Sequence, residues 1–362
     1  MDEKRHKITS SQLMTFILAT QVGTGILTLP SDLAKIVGHD GWISVLLVGI
    51  IATFSSIIIV KLMERYKNQS IYGINKLLYG KYLGTAINII LLLYFIIVAA
   101  VNVRIFLIVV RSMVLKSTPP LILTIFIIIP SFYLVWYGLK SLCRFNITVY
   151  FSMFAVVFLL LLTSKFFKLT FLMPFGEAGL NQITSGAFST FYSLLGFEII
   201  TVIYPYITDK DKTVKYMAGA NIISVLFSAT LVITTTAFFG ENMLKHLVFP
   251  LFSLARSYKA PILERIDLYI IALWFPPLAM SVRAYLFATY NTINKVFDIR
   301  RKTLCLVLLI AAVIILSRIP KSMAELYIYV GYANIFGIII IGFFVLSYVF
   351  SFINNKNISC SK

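Results

Sequence analysis

Long apolar runs alternate with short polar connections along almost the whole chain. Runs of about 20 weakly charged residues recur from end to end, and this is the length that an α-helix needs to cross the core of a bilayer. The pattern therefore predicts an all-α polytopic membrane protein with ten spans, at roughly 9–30, 41–62, 83–103, 120–138, 145–164, 185–206, 216–239, 268–290, 303–318 and 333–353.

Two segments depart from this simple alternation. The third apolar run continues past Arg104 to Leu115, which predicts a long, tilted helix. The segment 240–267 mixes charged with apolar residues and is interrupted by Pro250 and Pro261. We expect it to form short amphipathic helices that lie over the extracytoplasmic face of the membrane.

The amino-terminal segment pairs basic residues with an apolar stretch from Ile8 to Leu29, as a signal peptide does. The stretch is too long for a signal peptide, and no small-x-small cleavage site precedes Pro30. We expect it to be retained as the first span. The whole chain, 1–362, is then predicted to be a single transmembrane domain.

Composition supports the membrane interpretation. Hydrophobic residues make up 59% of the chain and charged residues 13%, whereas soluble domains are about 45–50% apolar and about 25% charged. The net charge of +18 would suit nucleic-acid binding if the cations shared one face. They lie instead at the ends of apolar runs, where membrane topology and anionic lipid headgroups explain them.

The distribution of Lys and Arg predicts the orientation. More of them fall in the connections on the side of the amino terminus than in those on the other side. Because cytoplasmic loops carry the excess of positive residues, both termini are predicted to be cytoplasmic.

No arrangement of residues points to catalysis. The chain has no phosphate-binding loop and no nucleophile–base signature, so we expect neither an enzyme nor a catalytic residue. No metal site or cofactor is expected either, because the cysteines and histidines are scattered: Cys143, Cys305, Cys360, His6, His39 and His246.

Span one carries a possible interruption at Gly23-Thr24-Gly25. Many transporter folds repeat five helices in inverted orientation, and their substrate sites lie where the first helix of each half is broken. Two glycines weaken a helix by about 1 kcal/mol each and allow a ligand to approach the backbone. The alternative is a small-residue face for helix packing.

Span six carries the matching candidate at Gly196-Phe197-Glu198. A carboxylate near the middle of a span is costly, so Glu198 is expected to face a cavity or a partner. The alternative is a structural ion pair within the bundle. Two arginines in spans, Arg283 and Arg104, are candidate partners for a gating or structural pair with Glu198; Arg104 would otherwise snorkel to the interface.

The two interruptions open the two halves of a five-plus-five layout, at about 9–164 and 185–353. Unwound backbone would present N–H groups to a carboxylate and C=O groups to a cation. A zwitterion such as an α-amino acid is therefore the expected ligand, and the apolar surroundings favour a small neutral or aliphatic one. Aromatic candidates for the pocket are Tyr94, Trp136, Tyr192, Tyr204 and Trp274.

Three motifs resemble the GerAB-type spore germination proteins, the B subunits of germinant receptors in endospore-forming bacteria. They are VGTGILTLP at 22–30, GFEI at 196–199, and the stretch that runs through 249–256 and 262–267. The first motif alone also occurs in many amino-acid permeases, but the three in this order are more specific.

The resemblance implies a ten-helix, LeuT-like core of the amino acid–polyamine–organocation superfamily with broken helices 1 and 6. It also implies a protein of the spore inner membrane that senses a small nutrient, often an L-amino acid, beside an A subunit and a lipoprotein C subunit. The ligand-binding residues implied are Gly23, Thr24, Gly25, Gly196, Phe197 and Glu198, with Tyr94 as the aromatic candidate.

The main alternative is an amino-acid permease of the cell membrane with the same fold. Proton-coupled relatives often carry a Lys in span five, and 145–164 contains neither Lys nor Arg. This difference favours a sensor, or a pore whose opening follows binding. A purely structural membrane subunit without a ligand is a third possibility.

Overall fold

A computed structural model describes residues 6–66, 69–258, 266–297 and 301–353. Within these ranges the chain is built from helices, and no β-strand longer than the single bridge between Ile8 and Ile207 is present. The α-helices are α1 Ser10–Gln21, α2 Leu29–Ile36, α3 Gly41–Arg65, α4 Ile71–Met113, α5 Pro120–Tyr137, α6 Leu139–Phe145, α7 Thr148–Thr163, α8 Leu180–Thr190, α9 Ile200–Ile203, α10 Thr213–Leu244, α11 Pro250–Ser257, α12 Ile266–Phe297, α13 Lys302–Ser317 and α14 Met323–Ile353.

The predicted polytopic membrane fold is confirmed. Seven helices in the described ranges are long and apolar enough to cross a bilayer, and an eighth span consists of two pieces, Leu180–Leu194 and Phe197–Tyr206, bent by 50°. The shorter apolar helix α13 and the divided first span, α1 with α2, match the remaining two predictions. The proposed repeat limits, 9–164 and 185–353, stay a prediction.

Helix α4 continues to Met113, so the third run extends past Arg104 as predicted. Its first turns form a separate piece, because Gly80 has a φ of 81° that other residues rarely adopt. This piece folds back on the rest of α4: the Asn75 amide donates to Asn88 Oδ1 over 2.8 Å, and the Asn88 amide donates to the Tyr72 carbonyl.

Part of the segment 240–267 can be compared with its prediction. Helix α10 takes up the residues to Leu244, and α11 buries Leu251 and Leu254 while Arg256 stays exposed. One apolar and one charged face make α11 amphipathic. Pro261, the motif at 262–265, Cys360 and both chain ends (1–5 and 354–362) lie outside the described residues.

The bundle buries its polar groups centrally and turns apolar side chains outwards. Helix α12 packs along α4, α10 packs along α3, and α1 lies between α10 and α12. Helices α5 and α7 expose large apolar side chains, among them Phe126 and Phe154. Such an outward surface is suited to lipid and not to water.

The face at which α1 begins, called the amino-terminal face here, is held shut by backbone pairing. The Ile8 N–H donates to the Tyr206 carbonyl over 3.0 Å, and the Thr208 N–H donates to the Ile8 carbonyl over 2.9 Å. Ser10 adds two bonds to Asp209: its N–H donates to Oδ1 over 2.7 Å and its hydroxyl to the carbonyl over 2.8 Å. The first span is thereby tied to the end of the sixth.

Candidate functional site

The first span is interrupted after Gln21. Residues 22–24 are irregular, a 3₁₀ turn covers Gly25–Leu27, and α2 begins at Leu29. The Trp274 indole donates to the Gly23 carbonyl over 3.3 Å, and a Cβ at Gly23 would overlap Ser281 Oγ. The Ser281 hydroxyl in turn donates to the Thr20 carbonyl over 2.8 Å. Gly23 therefore lets α12 pack against the interruption.

The sixth span is interrupted at Leu195 and Gly196. Gly196 has a φ of +122°, and a Cβ there would lie 2.7 Å from Thr20 Cγ2, so both its conformation and its surroundings require glycine. The carbonyl of Leu194, freed by the break, accepts a 2.8 Å hydrogen bond from the Gln21 amide. That amide also donates to Asn221 Oδ1 over 2.8 Å.

The two interruptions face each other. The Ser193 hydroxyl donates to the Gly25 carbonyl over 2.9 Å, and a Cβ at Gly25 would lie only 2.6 Å from Ser193 Cα. The absence of a side chain at Gly25 is what lets the two segments touch. The predicted breaks in helices 1 and 6 are confirmed.

Glu198 is fully buried directly behind the second break. Its Oε1 accepts from the Tyr94 hydroxyl over 2.8 Å and from the Tyr285 hydroxyl over 2.7 Å. Its Oε2 accepts from the Gly196 N–H over 2.7 Å. The carboxylate therefore satisfies a backbone donor that the break exposes and joins α4 and α12 to it.

The structure does not bring Arg283 or Arg104 to Glu198; within the described ranges, the bonding partners of Glu198 are the two tyrosines and the backbone. The Arg283 guanidinium lies 4.7 Å from the Phe145 ring centroid, and its Nε donates to Ser131 Oγ over 3.3 Å. Arg104 donates to the Lys321 carbonyl over 3.0 Å. Hydrogen bonds from uncharged groups thus replace the cation that the sequence suggested for Glu198.

A cavity of about 420 Å³ lies beside the paired breaks. It occupies the half of the bundle away from the amino-terminal face, because it is bounded by the ends of α2 and α4 and the beginning of α14. Its lining is mainly apolar with a few polar groups: Thr24, Gly25, Thr28, Asp32, Lys35, Ile36, Ile105, Ile108, Phe188, Ser189, Tyr192, Ser193, Phe249, Met323, Leu326, Tyr327, Val330, Gly331 and Asn334. Ligand sites commonly have this composition and a volume of about 300–1,000 Å³.

Thr24, Asn102 and Tyr192 form a polar cluster at the bottom of this cavity. The Thr24 and Tyr192 hydroxyls donate to Asn102 Oδ1 over 2.6 and 3.0 Å. Below them lies a pocket of about 10 Å³, also lined by Gln21 and Tyr285. This is room for about one water, so the space for a larger ligand lies above the cluster.

Two buried oxygens near these spaces have no hydrogen-bond partner within the described residues. Asn334 Oδ1 belongs to a residue that lines the large cavity, and the Asn334 amide is held by the Phe188 carbonyl over 2.6 Å. Gln21 Oε1 belongs to a residue that lines the small pocket. Buried oxygens are normally paired, so both are suited to accept from a ligand or a water.

A charged pair marks another part of the cavity wall. Lys35 Nζ lies 3.7 Å from Asp32 Oδ1, and the Tyr327 hydroxyl donates to the same oxygen over 3.2 Å. The bond from Tyr327 to Asp32 joins α14 to α2 across the cavity, so a movement of either helix would break it.

The predicted site residues divide into two groups. Thr24 and Gly25 line the cavity, whereas Gly23 faces α12, and Gly196, Phe197, Glu198 and Tyr94 lie outside its lining. Sequence reasoning missed several polar lining or floor residues, among them Asn102, Ser193 and Asn334. Asn102 and Asn334 could have been noticed as isolated amides within apolar runs, whereas Ser193 follows other hydroxyl residues and carries no such signal.

Comparison with known proteins places the chain among proteins of spore germination. The sequence model of the family described as "Spore germination protein" matches residues 7–326. The chain is 26% identical to spore germination protein B2 of Bacillus subtilis (strain 168) over 354 residues, which is 95% of this chain and 96% of that protein. It is also 26% identical to spore germination protein GerQB of Bacillus cereus, with 82% of each chain covered.

Solved transporter structures share the fold. A Na⁺-coupled sialic acid symporter, in a substrate-bound outward-open state, superimposes with a TM-score of 0.65 at 14% identity, over 94% of this chain and 79% of that one. MhsT in complex with L-phenylalanine gives a TM-score of 0.63 at 15% identity, over 91% of this chain and 88% of that one. The LeuT-like architecture predicted from the motifs is confirmed.

Proposed function

Because this chain belongs to the spore germination protein family, we propose that it is the membrane subunit of a germinant receptor. It would bind a small nutrient, an L-amino acid or a molecule of similar size, and binding would trigger germination. The 420 Å³ cavity beside the two broken helices is the observation that carries this proposal. Its volume lies within the range of about 300–1,000 Å³ that is common for ligand sites, which is ample for a small zwitterion.

The chemistry of the lining favours a ligand with one polar and one apolar end. The polar end would lie against Thr24, Ser193 and the unpartnered Asn334 Oδ1. Asn334 Oδ1 can accept from an ammonium group. Because the Thr24 hydroxyl already donates its proton to Asn102, an ammonium group would donate to the lone pairs of the Thr24 oxygen. Ile105 and Phe188 would contact an aliphatic side chain.

The other predicted site residues have a supporting role in this proposal. Gly23 and Gly196 let the broken segments pack, while Glu198 satisfies the Gly196 N–H and holds Tyr94. A ligand changes the balance between two arrangements only by its difference in affinity for them. Binding would favour the arrangement in which the cavity walls close around the nutrient.

The cellular context is part of the proposal. The receptor would lie in the spore inner membrane with both chain termini cytoplasmic, and it would act beside an A subunit and a lipoprotein C subunit. The excess of Lys and Arg on the amino-terminal side and the germination proteins that the chain resembles support this context. Genes for a large membrane protein and a lipoprotein beside this one would add support.

An amino-acid permease remains the second candidate function. The similarity to a Na⁺-coupled symporter favours it, because that fold can carry transport. Uptake of radiolabelled amino acids into vesicles that contain this protein separates the two functions: accumulation would favour the permease, and binding without uptake would favour the receptor.

The receptor proposal is tested by filling the cavity. Gly331 lines it, and a Cβ there meets no atom within 4 Å, so a side chain can start at this position and Gly331→Leu should occupy ligand space. Gly342→Leu is the matched control, because Gly342 lies in the same helix, is exposed, and is also free of neighbours. Spores with each variant would be scored for germination with single amino acids, after blotting for equal protein.

We expect Gly331→Leu to raise the nutrient concentration for half-maximal germination at least tenfold, and Gly342→Leu to leave it unchanged. An unchanged dose response in Gly331→Leu would show that the nutrient does not bind in this cavity. A normal germination response in this cavity variant would also favour a subunit with a purely structural role.

A further inference from the structure

A second cavity, of about 160 Å³, lies next to the first at the face opposite the amino-terminal one. Unlike the larger cavity it is lined by several cations. We call it the arginine cavity and define it by its lining: Arg104, Leu107, Ile108, Arg111, Pro120, Leu123, Lys321, Ser322 and Met323. The germinant proposal makes no use of it.

Positive charge in the arginine cavity exceeds negative charge. Arg104, Arg111 and Lys321 line it, and Arg318 is close enough to Arg104 to repel it electrostatically. Glu325 is the carboxylate that attracts Arg104, and its Oε2 already accepts from the Lys321 N–H over 2.8 Å. Within the part of the chain that the structure describes, none of the four cations has a carboxylate within 4 Å.

Donors in this cavity are left without acceptors. Arg104 uses Nη2 to donate to the Lys321 carbonyl, but its buried Nε has no partner among the described residues. Ser322 accepts from the Glu325 N–H over 3.1 Å, so its own hydroxyl proton stays available. A guanidinium and a hydroxyl with free donors form an arrangement that suits the oxygens of a phosphate group.

The depth of the cavity matches the phosphate layer of a membrane. The apolar run 83–103 would be about 31 Å long as a helix, close to the hydrocarbon thickness of about 30 Å. Arg104 follows this run directly, and Arg111 lies seven residues further along α4, about 10 Å away. The exposed apolar residues Ile122 and Phe126 lie further along α5, on the way from the cavity towards the bilayer interior.

We propose that the arginine cavity binds the phosphate group of an anionic phospholipid from the surrounding leaflet. Arg104, Arg111, Lys321 and Ser322 would contact the phosphate oxygens, while Leu107 and Leu123 would contact the glycerol and the first acyl carbons. The volume is well above the roughly 10–15 Å³ that one water needs, and it suits one phosphate group. Basic pockets between membrane helices on the cytoplasmic side recognise anionic lipid headgroups in this way, and the same chemistry applies to this cavity at the opposite face.

A bound lipid would also support the germinant cavity, because Ile108 and Met323 line both cavities. The headgroup would hold the start of α14 against the end of α4. The lipid site does not depend on the identity of the nutrient, so it can be tested without one.

The test measures lipid retention by the purified full chain. Protein would be extracted from phosphatidylglycerol membranes, exchanged into detergent with phosphatidylcholine, and analysed for bound phosphatidylglycerol by native mass spectrometry. The variant Arg104→Gln/Arg111→Gln removes two cavity cations. Lys165→Gln/Lys168→Gln is the control, because it removes two exposed cations outside the cavity. Unfolding temperatures in phosphatidylcholine would establish that both variants fold.

We expect the arginine variant to lose roughly tenfold or more of the bound phosphatidylglycerol and the lysine control to retain it. Arg104→Lys, which keeps the charge, should retain an intermediate amount. Equal loss in both double variants would overturn the proposal in favour of general surface attraction. Displacement of the lipid by millimolar inorganic phosphate, with equal stabilisation of the protein by phosphate alone, would assign the cavity to a small soluble anion.

Discussion

The two halves of this bundle, on either side of the paired breaks, differ in how closely their helices are joined. In the amino-terminal half, Ile8 and Ser10 bond to the segment after span six, and Glu198 accepts three hydrogen bonds. The opposite half contains cavities of about 420 and 160 Å³, and two buried atoms of cavity-lining residues, Asn334 Oδ1 and Arg104 Nε, have no partner among the described residues. The amino-terminal half also has unpaired buried atoms, for example Asn75 Oδ1 and Thr213 Oγ1, but they belong to residues that line neither of these cavities.

This difference indicates where ligands are expected. Buried polar groups in proteins are nearly always paired, so unpaired ones beside an open cavity indicate a missing partner. Glu198 attracts attention in the sequence because a carboxylate in a span is costly. Both of its carboxylate oxygens nonetheless have hydrogen-bond partners, and it stabilises the amino-terminal half instead of lining the cavity.

The largest effect on stability should come from removing the Glu198 carboxylate in the amino-terminal half. Glu198→Ala would leave the hydroxyls of Tyr94 and Tyr285 and the Gly196 N–H without their acceptor. Unpaired buried groups cost about 1–3 kcal/mol each, so we expect a loss of stability of about 3 kcal/mol or more and no germination response. Thermal unfolding of the purified protein measures it.

The matched control is Glu177→Ala, because the Glu177 side chain is 66% exposed; we expect a change within about 0.5 kcal/mol. Glu198→Gln keeps one acceptor oxygen but turns an N–H group towards a donor, so its stability should be intermediate. Wild-type stability in Glu198→Ala would contradict a supporting role for this carboxylate.

A smaller effect should follow from separating the two breaks. Gly25→Ala places a Cβ 2.6 Å from Ser193 Cα, so the backbone segments must move apart. Overpacking of this kind costs about 1–3 kcal/mol, and we expect a weaker germination response together with a lower unfolding temperature. Gly219→Ala is the control, since its Cβ would meet only Met14 atoms at 3.8 Å. Equal behaviour of the two variants would mean that close contact of the breaks is dispensable.

The smallest effect on stability should come from removing one hydrogen bond at the amino-terminal face. Asp209→Ala removes the acceptor of the Ser10 N–H while leaving the pairing of Ile8 intact. A lost hydrogen bond is worth about 1 kcal/mol, so opening of this face should become about fivefold more frequent. The rate at which a membrane-permeant maleimide labels the buried Cys143 in α6 reports the opening, with Cys305 and Cys360 replaced by Ser.

Asp211→Ala removes an exposed carboxylate two residues away and should leave the labelling rate unchanged. If Asp209→Ala also labels at the wild-type rate, the bond from the Ser10 N–H to the Asp209 carboxylate does not keep this face closed.

The sequence by itself determined the helical membrane fold and the positions of the two breaks. Length and hydrophobicity of each run specify a span because lipid offers the backbone no hydrogen bonds. Gly25 and Gly196 were recognisable for a local reason, since both positions need a residue without a side chain: Gly25 for close contact with Ser193, and Gly196 for its positive φ as well. Thr24 and Gly25, named from the motif, do line the large cavity.

The tertiary structure alone decided which polar residues are satisfied and which remain open to a ligand. Glu198 and Arg283 look alike in the sequence as charges within spans, yet the first is bonded to two tyrosines and the second lies against Phe145 and Ser131. Asn102, Ser193 and Asn334 come from three different spans and meet only when the bundle packs. Hydrogen bonds act over about 3 Å, so pairing between distant helices depends on side-chain positions that hydrophobic periodicity does not specify.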